Sequence, residues 1–555
     1  MHDPGFRKDC PSLLRRALNN PRRVTRSFPL MSTPATPASP AAQRGYIAAL
    51  VAAFLGWLFD GFEMGLFPLI GKPALQDLLP NESALVQGQW FTVIIAVFLV
   101  GAATGGVLFG WLGDKLGRVK AMTLAIFTFA IFTGLCAFVT EAWQFAGLRF
   151  IASLGMGGEW SLGVALVNEL WAGRNRAWIA GLIGAASNIG FLLTGILSLK
   201  LNASIESVTG MLGSLGLSQS TADYLLHNRA WRFIAVSGAL PALINFFILI
   251  FVPESHKWEE EKKSGKTSHW ATWDLMGVLL AALAALVIIY AWSPMAQIDA
   301  RPGDSLFVCR LQNIGTGSAA IITILCLAMA LKGYLHPVRQ YMSRFAASEK
   351  TDSGEHKAVL RHLLIGAGLA SVALLGTWGS AQQAAKWASG LLPKGSTLPI
   401  IEYTVIATAL GAILISLITP LVADKLGRRF TYTLLCLLSL SGAVAFFQTN
   451  HPFADGNITN WFFISAFLLG GLTASFYGFF PLYFPELFPT SVRATGQGFC
   501  FNFGRLIAAI GSLQLANLVK LFGTDANAYS ILSCIYLVGM VLIWFAPETK
   551  GRGLK

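Results

Sequence analysis

Charge is what this sequence has least of. Asp, Glu, Lys and Arg make up 12% of its 555 residues, against about a quarter in a soluble domain. Three or four soluble domains of this total length could not be coated by so little charge, which excludes an ordinary cytosolic enzyme and a disordered chain. Cysteine is also scarce. There are seven, with no C-x-x-C spacing, so neither a disulfide framework nor a zinc site is indicated. A nucleophile elbow, a phosphate loop and metal-spaced His/Asp/Glu are missing too. Gly155, Gly157 and Gly158 do not follow a strand, so they serve helix packing rather than a nucleotide. No enzymatic activity and no cofactor is expected. The net charge of +13 is scattered between apolar runs and not gathered on one domain, so it does not point to nucleic acid.

What the chain has is apolar length. Hydrophobic residues make up 54% of it, and from Tyr46 onward runs of about 20 recur, each long enough to cross ~30 Å of hydrocarbon as a helix. The expected spans lie near 46–70, 89–110, 121–140, 143–166, 178–199 and 232–252, then 274–293 and 313–331, then 361–384, 400–420, 430–449, 461–484, 495–518 and 528–546. The expectation is an all-α polytopic membrane protein of about 14 spans, arranged six, two, six. The divisions follow: a tail over 1–45, a six-helix bundle over 46–252, linkers with two extra spans over 253–360, a second bundle over 361–546 and a tail over 547–555. The first tail reads as disordered and cytoplasmic, or as an over-extended gene start with Met31 the true initiator. With both termini inside, 30 of the 41 Lys and Arg fall in inner segments and 9 in outer loops, with Arg149 and Arg505 inside spans; the positive-inside rule favours that orientation.

Three segments recur in the same order. Asp114-Lys115-Leu116-Gly117-Arg118 returns as Asp424-Lys425-Leu426-Gly427-Arg428. Glu169-Leu170-Trp171 with Arg176 returns as Glu486-Leu487-Phe488 with Arg493. Pro253-Glu254-Ser255 returns as Pro547-Glu548-Thr549, and the offsets are 310, 317 and 294 residues. Two homologous halves are how many secondary transporters build a site between rocking bundles.

Gly110-Trp111-Leu112-Gly113-Asp114-Lys115-Leu116-Gly117-Arg118-Val119-Lys120 resembles the loop signature of the major facilitator superfamily. Val119 replaces a usual basic residue, and Pro420 replaces the leading Gly of the second copy. Three further segments resemble metabolite:proton symporters: Gly56-Trp57-Leu58-Phe59-Asp60-Gly61-Phe62-Glu63, Arg149 with Gly155-Met156-Gly157-Gly158-Glu159-Trp160, and Tyr483-Phe484-Pro485-Glu486-Leu487-Phe488-Pro489-Thr490. The first two, with the central pair of spans, look most like sialic acid:proton symporters and related monocarboxylate carriers. The resemblance covers about residues 46–550. It implies a fold of two six-helix bundles, a monomer in a bacterial inner membrane, and a small organic anion and a proton as partners.

Ionisable groups inside a span are costly and therefore candidates for function. Asp60 and Glu63 share a helix face, and two neighbouring carboxylates do not both ionise cheaply in low dielectric, so one can carry a proton. Arg149 stands six residues into its span, about 9 Å deep, placed either to snorkel or to grip a substrate carboxylate. Glu159 lies some 15 Å further in, out of Arg149's reach, and is a proton relay or a structural partner. Arg505 stands mid-span with Asn502 on its face, and Asn188 is a weaker candidate. Glu63 and Arg149 lie at nearly equal depth and are expected to pair in the empty carrier. Asp114, Arg118, Glu169 and Arg176, with Asp424, Arg428, Glu486 and Arg493, are expected to form a bistable gate of exposed loop pairs. Trp143, Trp171, Trp461 and Tyr483 are expected in interfacial belts, and the central spans are expected to pack outside the bundles. A proton-coupled importer of a small organic anion follows, such as a sialic acid or another monocarboxylate. A sugar or aromatic-acid symporter and a non-transporting receptor are the alternatives.

Overall fold

Hydrocarbon offers a backbone no hydrogen-bond partners, so each apolar run must satisfy its own peptide groups, and a helix does this within one segment. The computed structural model describes residues 40–170, 175–203, 205–239, 247–248, 251–293, 314–349, 353–393, 396, 398–453 and 457–552. Among these residues every regular element is helical. In chain order they are α1 (Pro40–Leu78), α2 (Ala84–Leu116), α3 (Arg118–Leu135), α4 (Ala142–Leu170), α5 (Arg176–Ala203), α6 (Ile205–Ser214), α7 (Gln219–Ser237) and α8 (His256–Lys263). The central pair is α9 (Leu275–Trp292) and α10 (Thr316–Glu349). After it come α11 (Ser353–Gly379), α12 (Ala384–Ser389), α13 (Ile400–Leu426), α14 (Arg428–Thr449), α15 (Asn460–Ala474), α16 (Phe476–Leu487), α17 (Arg493–Phe522), α18 (Asp525–Leu532) and α19 (Ile535–Leu542).

Polar residues set the helix ends. Ser83, Ser255, Thr459 and Thr524 accept from backbone amides of the turns they open, which satisfies donors a helix start leaves free. The sequence repeat is also a backbone repeat. Gly117 and Gly427 separate equivalent helix pairs at φ 119° and 93°, a region where a side chain would be strained.

Twelve helical segments among the described residues are long and apolar enough to span a membrane. The expectation of fourteen spans is corrected to that number. Two expected segments are not among the twelve. The one near 232–252 falls partly on 240–246 and 249–250, outside the described residues. The one near 495–518 lies in α17, whose Gln497, Asn502, Arg505 and Gln514 dilute its apolarity. The central pair is among the twelve, as Thr272–Trp292 and Thr316–Ala346. Residues 1–39 and 294–313, the expected tail and outer loop, lie outside the described residues.

Residues 45–555 form one packed unit. Within it α2 runs against α4 and α17, α5 runs along α13, and α11 packs on α17. Glycines permit the close crossings. A Cβ on Gly105 would run into the Leu154 carbonyl of α4, and one on Gly61 into the Ser187 carbonyl of α5. The central pair packs on itself, and α9 also packs on α2. The buried Tyr334 hydroxyl of α10 meets the Thr104 hydroxyl of α2 at 2.8 Å.

Candidate functional site

Helix α1 carries Trp57, Asp60 and Glu63 at spacings of three, which puts them on one face. All three are buried. Glu63 pairs with Arg149 of α4 and accepts a second bond from Thr133 at 3.1 Å. Phe67 and Phe98 flank the Arg149 guanidinium, with ring centroids 5.3 and 4.7 Å away. Cations over ring faces gain from the ring quadrupole. Arg149 is thus held, not snorkelled, and borders a small cavity shared with Trp378 of α11.

Asp60 faces elsewhere. Its carboxyl group lies within hydrogen-bonding reach of Glu159 on α4 and in the field of Arg505 from α17. Gly56 makes room for the meeting, since a Cβ there would run into the Glu159 carboxylate. Among the described residues no other donor reaches either carboxyl. Two ionised carboxylates have no proton to offer one another, so the pair is satisfied only when one of them carries a proton.

Arg505 donates to Asn502 at 2.7 Å, and Asn502 donates to the Gly157 carbonyl of α4 at 2.9 Å. The two halves therefore meet at the acids, as Gln497 and the Ser161 carbonyl also show. Asn188 bonds the Gly184 carbonyl at 3.1 Å and Ser416 of α13 at 3.4 Å. It lines a crevice with Thr404, Gln382 and Tyr477, and the Tyr477 ring lies 6.1 Å from Phe501. The expected contact of Glu63 with Arg149 is present, whereas Asp60 lies with Glu159 instead.

Aromatic rings cluster beside Arg505, and sequence reasoning did not single them out. Trp160 stacks on Phe501 with centroids 4.0 Å apart, while Trp57 stands 6.1 Å from Trp160 and 6.2 Å from Phe501. The Arg505 guanidinium lies 5.2 Å over Phe501. The Trp57 and Trp160 indole N–H groups, like the Arg505 Nε, are buried without a partner among the described residues. Trp57 three before Asp60 and Trp160 beside Glu159 were the available signals.

The repeated loop charges form two buried networks, not the exposed pairs expected. Asp114 accepts from Arg118 at 2.6 Å and, across the halves, from the Thr495 amide and hydroxyl at 2.8 and 2.5 Å. Glu169 accepts from Arg118 at 3.3 Å, from Arg493 at 3.0 Å and from Ser255. In the second copy Arg428 grips Glu486 with two donors at 3.1 and 2.8 Å. Thr549 adds 2.5 Å to Glu486, and Arg176 approaches it at 3.5 Å. Asp424 alone stays open, with 57% of its side chain exposed. The reason for the burial is geometric: the helix ends converge, and the segments after Pro253 and Pro547 fold back over them. Trp258 of α8 donates to the Asp114 carbonyl at 2.9 Å. Tyr483 is likewise no belt residue; it is buried and donates to the Pro547 carbonyl at 2.8 Å. Trp143 and Trp461 are exposed, and Trp171 lies outside the described residues.

Outside the spans, burial pushes the Glu254 carboxyl above its ordinary range, although amides of Ser255, Val119 and Arg118 pull the other way. Its counterpart Glu548 is also disfavoured by burial, but the amides of Arg428, Lys550, Arg429 and Thr549 outweigh that and hold it below the range.

An all-helical fold with buried acids and arginines and a repeated ion-pair network is that of a membrane transporter of the major facilitator type. The chain belongs to the sugar (and other) transporter family, whose model matches residues 47–283 and 391–555. It is 24% identical over 505 residues to a cis,cis-muconate transport protein of Acinetobacter baylyi, covering 90% of this chain and 94% of that one. It is 27% identical over 280 residues to the sialic acid transporter NanX of Escherichia coli, covering 50% of this chain and 60% of that one. In fold it is similar to the proton:xylose symporter XylE, with a TM-score of 0.61, 17% identity, and coverage of 92% of this chain and 98% of that one.

Proposed function

We propose that the protein is a proton-coupled symporter of a small organic anion whose carboxylate sits on an unsaturated or aromatic body. The observation that carries this reading is the buried meeting of Asp60, Glu159 and Arg505 beside the Trp57–Trp160–Phe501 cluster.

Charge balance supplies the coupling. Three carboxyl groups (Asp60, Glu63, Glu159) and two guanidiniums (Arg149, Arg505) share the buried region. Arg149 and Glu63 cancel each other. One proton shared by Asp60 and Glu159 leaves a single negative charge for Arg505. An arriving carboxylate takes Arg505 through parallel hydrogen bonds. The displaced acid is then a buried charge without a partner, which is costly, and it takes a second proton. For a monocarboxylate, or a dicarboxylate entering with one carboxyl protonated, anion and proton enter together and the occluded site stays neutral.

The aromatic cluster favours a planar unsaturated acid, because ring faces stack on ring or conjugated faces. The relationship to a muconate carrier along most of the chain agrees with that. A sialic acid would present many hydroxyls to a cluster of rings, and the similarity to the sialic acid carrier covers half of the chain. Site residues, both cytoplasmic termini and the two-bundle division at 46–252 and 361–546 belong to the same proposal.

The test is uptake into proteoliposomes of labelled cis,cis-muconate, benzoate, N-acetylneuraminate and xylose, with and without an inward proton gradient. Gradient-driven accumulation of an unsaturated or aromatic acid is expected. Accumulation of xylose alone, or anion uptake indifferent to the gradient, overturns the reading.

A further inference from the structure

A second apolar crevice, of about 690 Å³, lies on the membrane face between α9, α2 and α4. That volume falls in the range of small-ligand pockets. Its walls are apolar: Leu108 of α2, Phe150 and Leu154 of α4, and Met276, Leu279 and Ala282 of α9. Met276 and Leu279 are half exposed, and Trp273 at its mouth is 81% exposed. From Thr272 to Ala282 the helix rises about 15 Å, half of a ~30 Å hydrocarbon core. The crevice is one leaflet deep.

One end of it is cationic. Thr104, Leu108, Trp111 and Lys115 recur at three- and four-residue spacing and so share a face of α2. Thr272, which lines the crevice, accepts from the Lys115 ammonium at 3.2 Å. That ammonium also lies 4.6 Å over the Trp111 ring. Among the described residues no carboxylate pairs with Lys115. Asp274, which precedes α9, is taken by Arg344, at 3.1 Å through one of its two oxygens. The Trp111 indole N–H is buried and unpartnered.

We propose that this crevice is a binding site for one anionic glycerophospholipid, its acyl chain between α9 and α2 and its phosphate at Lys115. Charge complementarity and leaflet depth select this occupant over a zwitterionic lipid or a second copy of the chain. The lipid would wedge the central pair against α2, the helix that carries Asp114 into the gate.

Native mass spectrometry of the full-length protein, purified with equimolar phosphatidylglycerol and phosphatidylcholine, tests this. The wild type is expected to retain one phosphatidylglycerol in preference. Lys115→Gln should lower that preference about fivefold, the worth of one juxtamembrane cation. Leu279→Trp, at a lipid-facing position that folding tolerates, should remove the retained lipid of either kind, and Met276→Trp should repeat the effect. Equal retention of both lipids by the wild type, unchanged retention by both tryptophan variants, or a dimer in place of a lipid adduct overturns the proposal.

Discussion

Arg493 crosses from the second half to meet Glu169 of the first at 3.0 Å, and its counterpart Arg176 crosses the other way toward Glu486 at 3.5 Å. The two contacts obey the internal repeat, but their surroundings do not. Around Glu169 the neighbouring Asp114 and Arg118 are fully buried, whereas around Glu486 the equivalent Asp424 is mostly exposed. The two networks are therefore unequally buried.

That inequality is measurable. Removing one partner of a buried ion pair costs about 3–5 kcal/mol, whereas an exposed pair is worth about 0–1 kcal/mol. Asp114→Asn should therefore open the network end and slow exchange of labelled for unlabelled substrate. Asp424→Asn should exchange at close to the wild-type rate. Thiol labelling of cysteines placed beside Thr495 reads the opening directly. Equal effects of the two substitutions would show that burial does not rank them.

The central pair should face lipid. Ile321, Ile324, Leu325 and Met329 of α10 expose half or more of their surface, while Tyr334 turns inward to Thr104. Cysteines at the first four positions should react with a lipid-soluble maleimide and resist a water-soluble one. Tyr334→Phe removes one buried hydrogen bond and should cost about 1 kcal/mol of stability. Protection from labelling by transported substrate at any of the four would place the pair on the pathway instead.

Glu254 and Glu548 should give opposite pH responses. Glu548 is held below its ordinary range in the folded protein, so its contribution is complete above the ordinary value of ~4.3 and fades as pH falls through the folded value. Glu548→Gln should lower thermal stability at neutral pH, and the gap to wild type should close as pH falls through the folded value. Glu254 is held above its range, so ionising it costs stability as pH rises from the ordinary value through the folded one. The Glu254→Gln variant should therefore gain on wild type over that interval. Thermal unfolding in detergent across pH reads both slopes, and slopes of one sign would contradict the assignment.

Much of this architecture was legible in the residues. Apolar runs of 20 have one solution in lipid, so the helices and their order followed from hydropathy. The pairing of Glu63 with Arg149 followed from equal depth on two helices. What depth cannot supply is rotation. Whether Trp57 and Trp160 turn toward Asp60 or toward lipid depends on how α1 and α4 pack, and the glycines that set this packing act across helices. The burial of Asp114 was hidden for a similar reason. It needs Pro253-Glu254-Ser255 to fold back over the helix ends, and that motif read only as a repeat. Of the two expected spans not among the twelve, the one in α17 is diluted by Asn502 and Arg505, residues of the candidate site, and the other lies partly outside the described residues.

The coupling scheme makes its sharpest claim about which acids titrate during transport. A pair of Glu63 and Arg149 at equal depth would let a substrate carboxylate compete for Arg149 and leave the proton to Glu63. In the structure Glu63 keeps both Arg149 and Thr133, and Arg149 is wedged between two rings, so that pair has little reason to part. Among the described residues no other donor reaches Asp60 or Glu159, which lie by each other, with Arg505 near Asp60. Replacing both, as Asp60→Asn with Glu159→Gln, leaves Glu63 with two guanidiniums, and the site then accepts a carboxylate without needing a proton. The double variant should still exchange labelled for unlabelled substrate but should not concentrate it on a pH gradient. Either single variant keeps one titrating carboxyl and should keep some uphill uptake. Arg505→Ala should lose exchange and accumulation together. Full uphill transport by the double variant would remove Asp60 and Glu159 from the coupling and return the proton to Glu63.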